Sequence, residues 1–344
     1  MDVSRPLAGL LALCALALTI ASFAGACGGG SPAGGLLSSP ADLAGRTVST
    51  GSLSSVSAFE LRYVLLQAYS LDARARDGDV SLSESPGDSL AQRLRSGDVD
   101  AVLATAAAAF ELSENEDFTV LSHVSEDMRK LIKTKVVASL LVTYSDVLER
   151  AGPDLTEIIR MLAESAAYFE ANRSTVIDAV AAEQDLDPDF LRWWWERHEL
   201  ALGQASEETQ QQIQAIWEAA KTLGDIETYP SMDDLTFVAD DASAEKSDGT
   251  VHATISLALL DDPSRRAALY AIEQGLVTST DIDVNITYLS QSEIEAAATT
   301  KQYNVIEAVP LAVPRASGEG SELAIVSAAF LDIDGALLFV RRAR

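Results

Sequence analysis

Cysteine is nearly absent from this chain of 344 residues: Cys14 and Cys27 are the only two. Both lie close to the N-terminus, so the rest of the sequence has no thiol for a disulfide framework or a cysteine metal site. Histidine is almost as scarce. His123, His198 and His252 stand far apart, and no pair has the spacing of metal ligands on one element. Phosphate-cradling glycine loops, nucleophile elbows and dinucleotide fingerprints are also missing. These absences speak against an enzyme, and neither a cofactor nor a metal is expected. Positive charge is short: 25 Lys and Arg face 52 Asp and Glu, a formal net charge of −27. That balance excludes nucleic acid as a partner and electrostatic adhesion to anionic lipid. Long apolar runs are reduced to one, at the N-terminus, so no other stretch is expected to span a bilayer.

That single run shows where the chain goes. Arg5 provides a basic start, Leu7 to Phe23 is apolar, and Ala24-Gly25-Ala26-Cys27 follows. The layout is a secretory signal ending in small residues. Its last four residues resemble a bacterial lipobox, which implies cleavage before Cys27 and a lipid on that cysteine. Residues 1–26 are therefore read as a lipoprotein signal peptide and 27–39 as a flexible, Gly-rich tether. Removing 26 of 344 residues leaves 318, enough for two lobes of about 150 residues, each with its own core. The expected location is extracytoplasmic, on the outer face of the cell membrane, with the lipid as the only membrane contact.

The body alternates short β-branched runs with amphipathic helical stretches, which implies an α/β architecture. It also repeats. Strands are expected at Arg46 to Ser49, Val80 to Ser83, Val99 to Ala104 and Phe118 to Val124, with helices at Phe59 to Ala68 and Asp88 to Arg95. A second series places strands at Val251 to Leu257, Val284 to Leu289, Asn304 to Ala308 and Leu323 to Ala328. Its helices are Arg266 to Gln274 and Ser292 to Thr300. Each series is a β-α-β-α-β unit, whose right-handed crossovers gather the loops after the strands on one edge. Between the two units, helices are expected at Asp154 to Asn172, Ser174 to Gln184, Pro188 to His198 and Glu207 to Leu223, the last ended by Gly224. Residues 239–249 are polar and acidic, a linker.

Several phrases resemble the substrate-binding proteins of nitrate, sulfonate, taurine and thiamine-precursor ABC importers. Ala268-Leu269-Tyr270-Ala271-Ile272-Glu273-Gln274-Gly275-Leu276 resembles that family's first helix, and Asp281-Ile282-Asp283-Val284 the strand after it. Ala41-Asp42-Leu43-Ala44-Gly45-Arg46-Thr47-Val48 resembles a phrase from the middle of the family's chain, and Arg95 to Ala101 another. The resemblance implies a two-lobed periplasmic-binding-protein type II fold, each lobe an open mixed sheet flanked by helices. The order of the phrases is exchanged, which implies a circular permutation with the usual termini joined through 239–249. On that reading lobe B comprises 40–133 plus 335–344, and lobe A 134–334. The strand Gly335 to Val340 would complete lobe B, and Ala138 to Thr143 would enter lobe A.

Ligand candidates are the loops that follow strands. In lobe A these are Asp261, Asp262, Ser264, Arg265, Ser290, Gln291, Ser292, Glu307, Phe330 and Asp332; in lobe B they are Ser52, Ser54, Ser55, Ser57, Glu84 and Thr105. Hydroxyls and N–H groups at a helix start favour an anionic group on the ligand, and simple N-capping by Ser55 or Ser57 explains the same residues. The acids of lobe A would instead suit an amine, an amidine-like heterocycle or a polyol. Trp193-Trp194-Trp195 cannot all line one pocket, because successive helical residues point about 100° apart. The implied function is delivery of a small polar nutrient (a pyrimidine thiamine precursor, a sulfonate or taurine) to an ABC permease by hinge closure of a monomer. A ligand-sensing or scaffold lipoprotein is the alternative.

Overall fold

The computed structural model describes residues 37–235, 253–318 and 323–342. The signal segment, Cys27, most of the tether and the 239–249 linker lie outside the described residues. A short 3-10 turn at Pro40–Leu43 is the first element described, and Ser38 and Ser39 donate to the Asp42 carboxylate there.

The first series runs β1 (Thr47–Thr50), α1 (Val56–Tyr69), β2 (Ala73–Arg74), β3 (Val80–Glu84), α2 (Gly87–Ser96), β4 (Ala101–Ala104), α3 (Ala106–Ser113), β5 (Phe118–His123) and α4 (Val124–Ile132). A middle region follows: β6 (Val136–Tyr144), α5 (Ser145–Glu183), α6 (Pro188–Trp195), β7 (His198–Leu200), α7 (Glu207–Leu223) and α8 (Met232–Leu235). The second series is β8 (Ala253–Leu260), α9 (Pro263–Glu273), β9 (Ile282–Leu289), α10 (Gln291–Thr300), β10 (Val305–Ala308), α11 (Ala312–Gly318) and β11 (Leu323–Asp332). The chain closes with β12 (Leu337–Arg341).

These elements make two six-stranded mixed sheets, ordered β2-β3-β1-β4-β12-β5 and β7-β11-β6-β10-β8-β9. The cores of the two orders correspond: β3-β1-β4-β12-β5 matches β9-β8-β10-β6-β11. In each, three parallel strands carry the βαβ crossovers, and one antiparallel strand is inserted before the last. The inserted strand comes from elsewhere in the chain both times. β12 lies between β4 and β5, with Phe339 opposite Val102 and Val120. β6 lies between β10 and β11. Both inserted strands are apolar and almost wholly buried, as strands covered on both faces must be.

Local chemistry explains most boundaries. Asp262 caps α9 through the Ser264 amide and Pro263 occupies its first turn. Ser206 caps α7, and Gly224 ends it at φ 76°, the left-handed conformation that glycine adopts without strain. The 39-residue α5 is bent where its dihedrals leave helical values, at Ala151 before Pro153 and at Asn172. The second bend falls where the sequence divides two helices. Some boundaries are corrected: the helix expected from Asp154 begins at Ser145, the strand expected to reach Val124 ends at His123, and the helix from Pro188 stops at Trp195 rather than running to His198. Glu196 caps it, and His198 begins β7, opposite Asp332 of β11. Helices α3 and α4 lie outside the expected elements: the alanine-rich α3 carries little helical period, whereas α4 is amphipathic, with Val124 and Met128 one turn apart on its buried face, and directly continues the strand β5.

One hydrophobic cluster runs through both sheets, from Val48 and Leu103 through Val124, Met128 and Val136 to Trp217 and Ile306. A second lies under α5 and α6, where Trp194 and Trp195 are buried against Phe169 and Phe330. Trp193 turns away from them and meets Phe110 of α3 at 5.8 Å.

Candidate functional site

The C-terminal ends of β1 and β4 mark the switch point of the first sheet, since α1 leads from β1 to β3 on one side and α2 leads back past β1 to β4. Open α/β sheets bind ligands at such a crevice. A hollow of about 90 Å³ lies there, lined by Thr50, Gly51, Ser52, Ser55, Ser57, Gly87, Leu90, Leu103, Thr105 and Ala108.

Three helices begin at its rim: α1 after Ser55, α2 after Pro86 and α3 after Thr105. Only α1 has a side-chain cap, the Ser55 hydroxyl accepting from the Ala58 amide at 3.2 Å. Neither Pro86 nor Thr105 makes a side-chain capping bond. The partial positive charge and unsatisfied N–H groups of α2 and α3 are thus available to an acceptor. Ala106, first residue of α3, sits at φ 48°, a left-handed conformation that a residue with a Cβ rarely adopts. Backbone strain of that kind gathers at ligand sites. Hydroxyl residues Thr50, Ser52, Ser55, Ser57 and Thr105 share the lining with Leu90, Leu103 and Ala108, and no carboxylate is among the lining residues. Behind it the Arg93 guanidinium donates to Ser49 at 3.0 Å and to Ser85. Sequence reasoning passed over Thr50, Gly51, Gly87 and Arg93. The one signal for Thr50 and Gly51 was their place directly after a strand, and nothing local marks Arg93.

The lobe B candidates divide. Ser52, Ser55, Ser57 and Thr105 line the hollow, whereas Ser54 and Glu84 do not. Glu84 accepts from the Leu53 amide at 2.7 Å and the Ser52 hydroxyl at 3.3 Å, which holds the serine loop closed. Ser54 bonds Ser52 at 2.9 Å within the loop.

The lobe A candidates lie away from this hollow, and most are occupied by one another. Arg265 pairs with Glu307 at 2.7 Å and lies 4.3 Å above the Phe330 ring. Burial lowers the Arg265 pKa, but the carboxylates of Glu307 and Asp262 outweigh it and hold the guanidinium above its ordinary value. Glu307 also accepts the Leu260 amide at 3.0 Å. Ser264 is bound to the capping Asp262. Asp261 is exposed and pairs with Arg266. Ser290 donates from amide and hydroxyl to Glu293, and these hydrogen bonds lower the Glu293 pKa. Gln291 and Ser292 lie in the exposed first turn of α10. The Asp332 carboxylate accepts the Gly335 amide at 2.6 Å, closing the turn between β11 and β12.

No family model matches the chain, and no curated protein does. Among solved structures, the chain is similar to the periplasmic aliphatic sulphonate binding protein SsuA from Escherichia coli, at 11% identity and a TM-score of 0.31, over 86% of this chain and 61% of that one. It is similar to a phosphate-binding protein of a phosphate ABC transporter from Streptococcus pneumoniae, at 9% identity and 0.31, over 86% and 88%. It is also similar to NikA from Staphylococcus aureus in complex with Ni(L-His)2, at 9% identity and 0.33, over 76% and 57%. At these scores the likenesses add nothing to what the strand order itself says.

Proposed function

We propose that this chain is a solute-binding lipoprotein, held outside the cell by a lipid on Cys27, that delivers a small polar solute to an ABC importer and has no catalytic role. One observation carries the reading: a hydroxyl-lined hollow at the switch point of the first sheet, where three helices begin and two lack side-chain caps. That chemistry suits an oxyanion. Within the solute classes implied by the sequence, it favours a sulfonate or taurine over a pyrimidine. The acids that argued for an amine are spent on Arg265, Arg266 and the Gly335 amide. About 90 Å³ admits a head group rather than a whole nutrient, so the rest of the solute would lie outside the hollow. Closure of the two lobes over that exposed part, followed by docking of the monomer on the permease, completes the mechanism. The exchanged order of the two series, with their usual termini joined through 239–249, belongs to the same proposal.

Thermal-shift titration tests it, with taurine, alkanesulfonates, phosphate, nitrate, a hydroxymethylpyrimidine and simple amines. A true solute at 100 times its dissociation constant stabilises the protein by about 2.7 kcal/mol. The expected result is stabilisation by sulfonates, lost in Thr105→Val and Ser57→Ala. Stabilisation by amines alone would refute the assignment of the hollow. Indifference to every solute would leave a scaffold. Radiolabelled lipid incorporation, abolished by Cys27→Ala, tests the anchor separately.

A further inference from the structure

The turn from β11 into β12 passes from the second sheet to the first, and one cluster of side chains on it has no part in the proposed solute site. His123 ends β5, Glu126 lies in the first turn of α4, and Asp334 stands in the turn itself. The His123 Nδ1 is 2.9 Å from both oxygens of Asp334. One ligand atom from each of the three residues lies within 4.8 Å of the other two, the only such grouping among the described residues.

Geometry and charge both favour a cation there. A tetrahedral ion with bonds near 2.1 Å needs its ligand atoms about 3.4 Å apart. His123 and Asp334 are already closer than that, and with all three ligand atoms within 4.8 Å the site requires only that the Glu126 side chain turn toward the other two. The frame is rigid: the Val124 amide donates to Ala336 at 2.9 Å, and the Ala336 amide donates to Ser125 at 3.0 Å. The Asp332 carboxylate, two residues back, adds negative potential. Three positive groups oppose it. Lys130 pairs with Glu126 at 3.1 Å but is itself exposed and one turn away. Arg129 is engaged by the Ile333 carbonyl at 3.1 Å. Arg197 stacks on Trp193 at 4.2 Å. His123 is about half exposed, its side chain at 48%, so water can supply the fourth ligand.

We propose that His123, Glu126 and Asp334 form a divalent-metal site of the zinc class that fastens the turn between β11 and β12 to the first sheet. One imidazole with two carboxylates and an open position suits zinc better than magnesium, which prefers oxygen ligands alone.

The test is zinc binding to the full chain after chelator treatment, by calorimetry and by metal analysis after dialysis. One equivalent of zinc is expected, with a thermal midpoint that rises with zinc concentration and is insensitive to excess magnesium. His123→Ala and Glu126→Gln should each weaken binding at least tenfold. Glu126→Gln leaves the His123–Asp334 contact intact, so its loss of zinc cannot be put down to misfolding. No uptake by the parent chain, uptake by either variant as tight as the parent's, or displacement by equimolar magnesium would overturn the site.

Discussion

Arg265 and Glu307 hold each other at 2.7 Å between α9 and β10, both nearly sealed from water, with side chains 11% and 5% exposed. Two buried charges persist there because their mutual attraction and hydrogen bonds offset the cost of desolvating each. Glu307→Ala should therefore destabilise the protein by about 3 kcal/mol in urea unfolding, since it strands the guanidinium. The double replacement Arg265→Met with Glu307→Leu should recover most of that loss. If Glu307→Ala alone were nearly neutral, the pair would have to be open to solvent and available to a ligand.

Gly335 leaves no room for a side chain. A Cβ there would stand 2.5 Å from the His198 ring and 3.0 Å from the Asp332 carboxylate. The ring cannot swing aside, because it lies flat on Trp194 at 3.8 Å and bonds the Trp194 carbonyl. Gly335→Ala should cost about 2 kcal/mol through overpacking. Pairing it with His198→Ala, which vacates the space, should remove most of the added penalty, read as a coupling energy in a double-mutant cycle.

Phe339 of β12 is 1% exposed and faces the core of the first sheet. Phe339→Ala should lower stability by about 3 kcal/mol. Hydrogen exchange should show the loss at its neighbours Val102 and Val120, more than two hundred positions earlier in the chain. A chain ending at Asp334 that melts like the parent would contradict this arrangement.

Glu60 of α1 is fully buried, with one carboxylate oxygen bound by Ser125 and the other without a partner. Burial, and after it the nearby Asp332 charge, raise its pKa well above the ordinary value of 4.5. The folded protein therefore keeps this proton after the unfolded chain has released it. Stability linked to Glu60 is intact below about pH 4.5 and is lost as pH rises toward the folded pKa, by roughly 1 kcal/mol per pH unit. Glu60→Gln removes that loss. Its midpoint should match the parent at pH 4 and exceed it increasingly toward neutrality. A constant difference across that range would show that Glu60 titrates normally.

The sequence by itself determined what is local. Alternating β-branched runs, amphipathic periods and capping residues such as Asp262, Ser206 and Gly224 place most strands and helices, because those preferences act within a few residues. It also showed two matching β-α-β-α-β series. The tertiary structure alone decided everything that depends on partners distant in sequence. It fixed the neighbours between which β6 and β12 insert, strands that the sequence assigns only to a lobe, turned Trp194 and Trp195 inward and Trp193 toward Phe110, and spent Arg265 on Glu307 rather than on a cleft. It also separated Ser52, Ser55, Ser57 and Thr105, which border the hollow, from Ser54, which does not. The reason is physical. A hydroxyl's chemistry is set by its residue type, but whether it meets a ligand, a cap or a neighbour depends on which chain segments the core brings together.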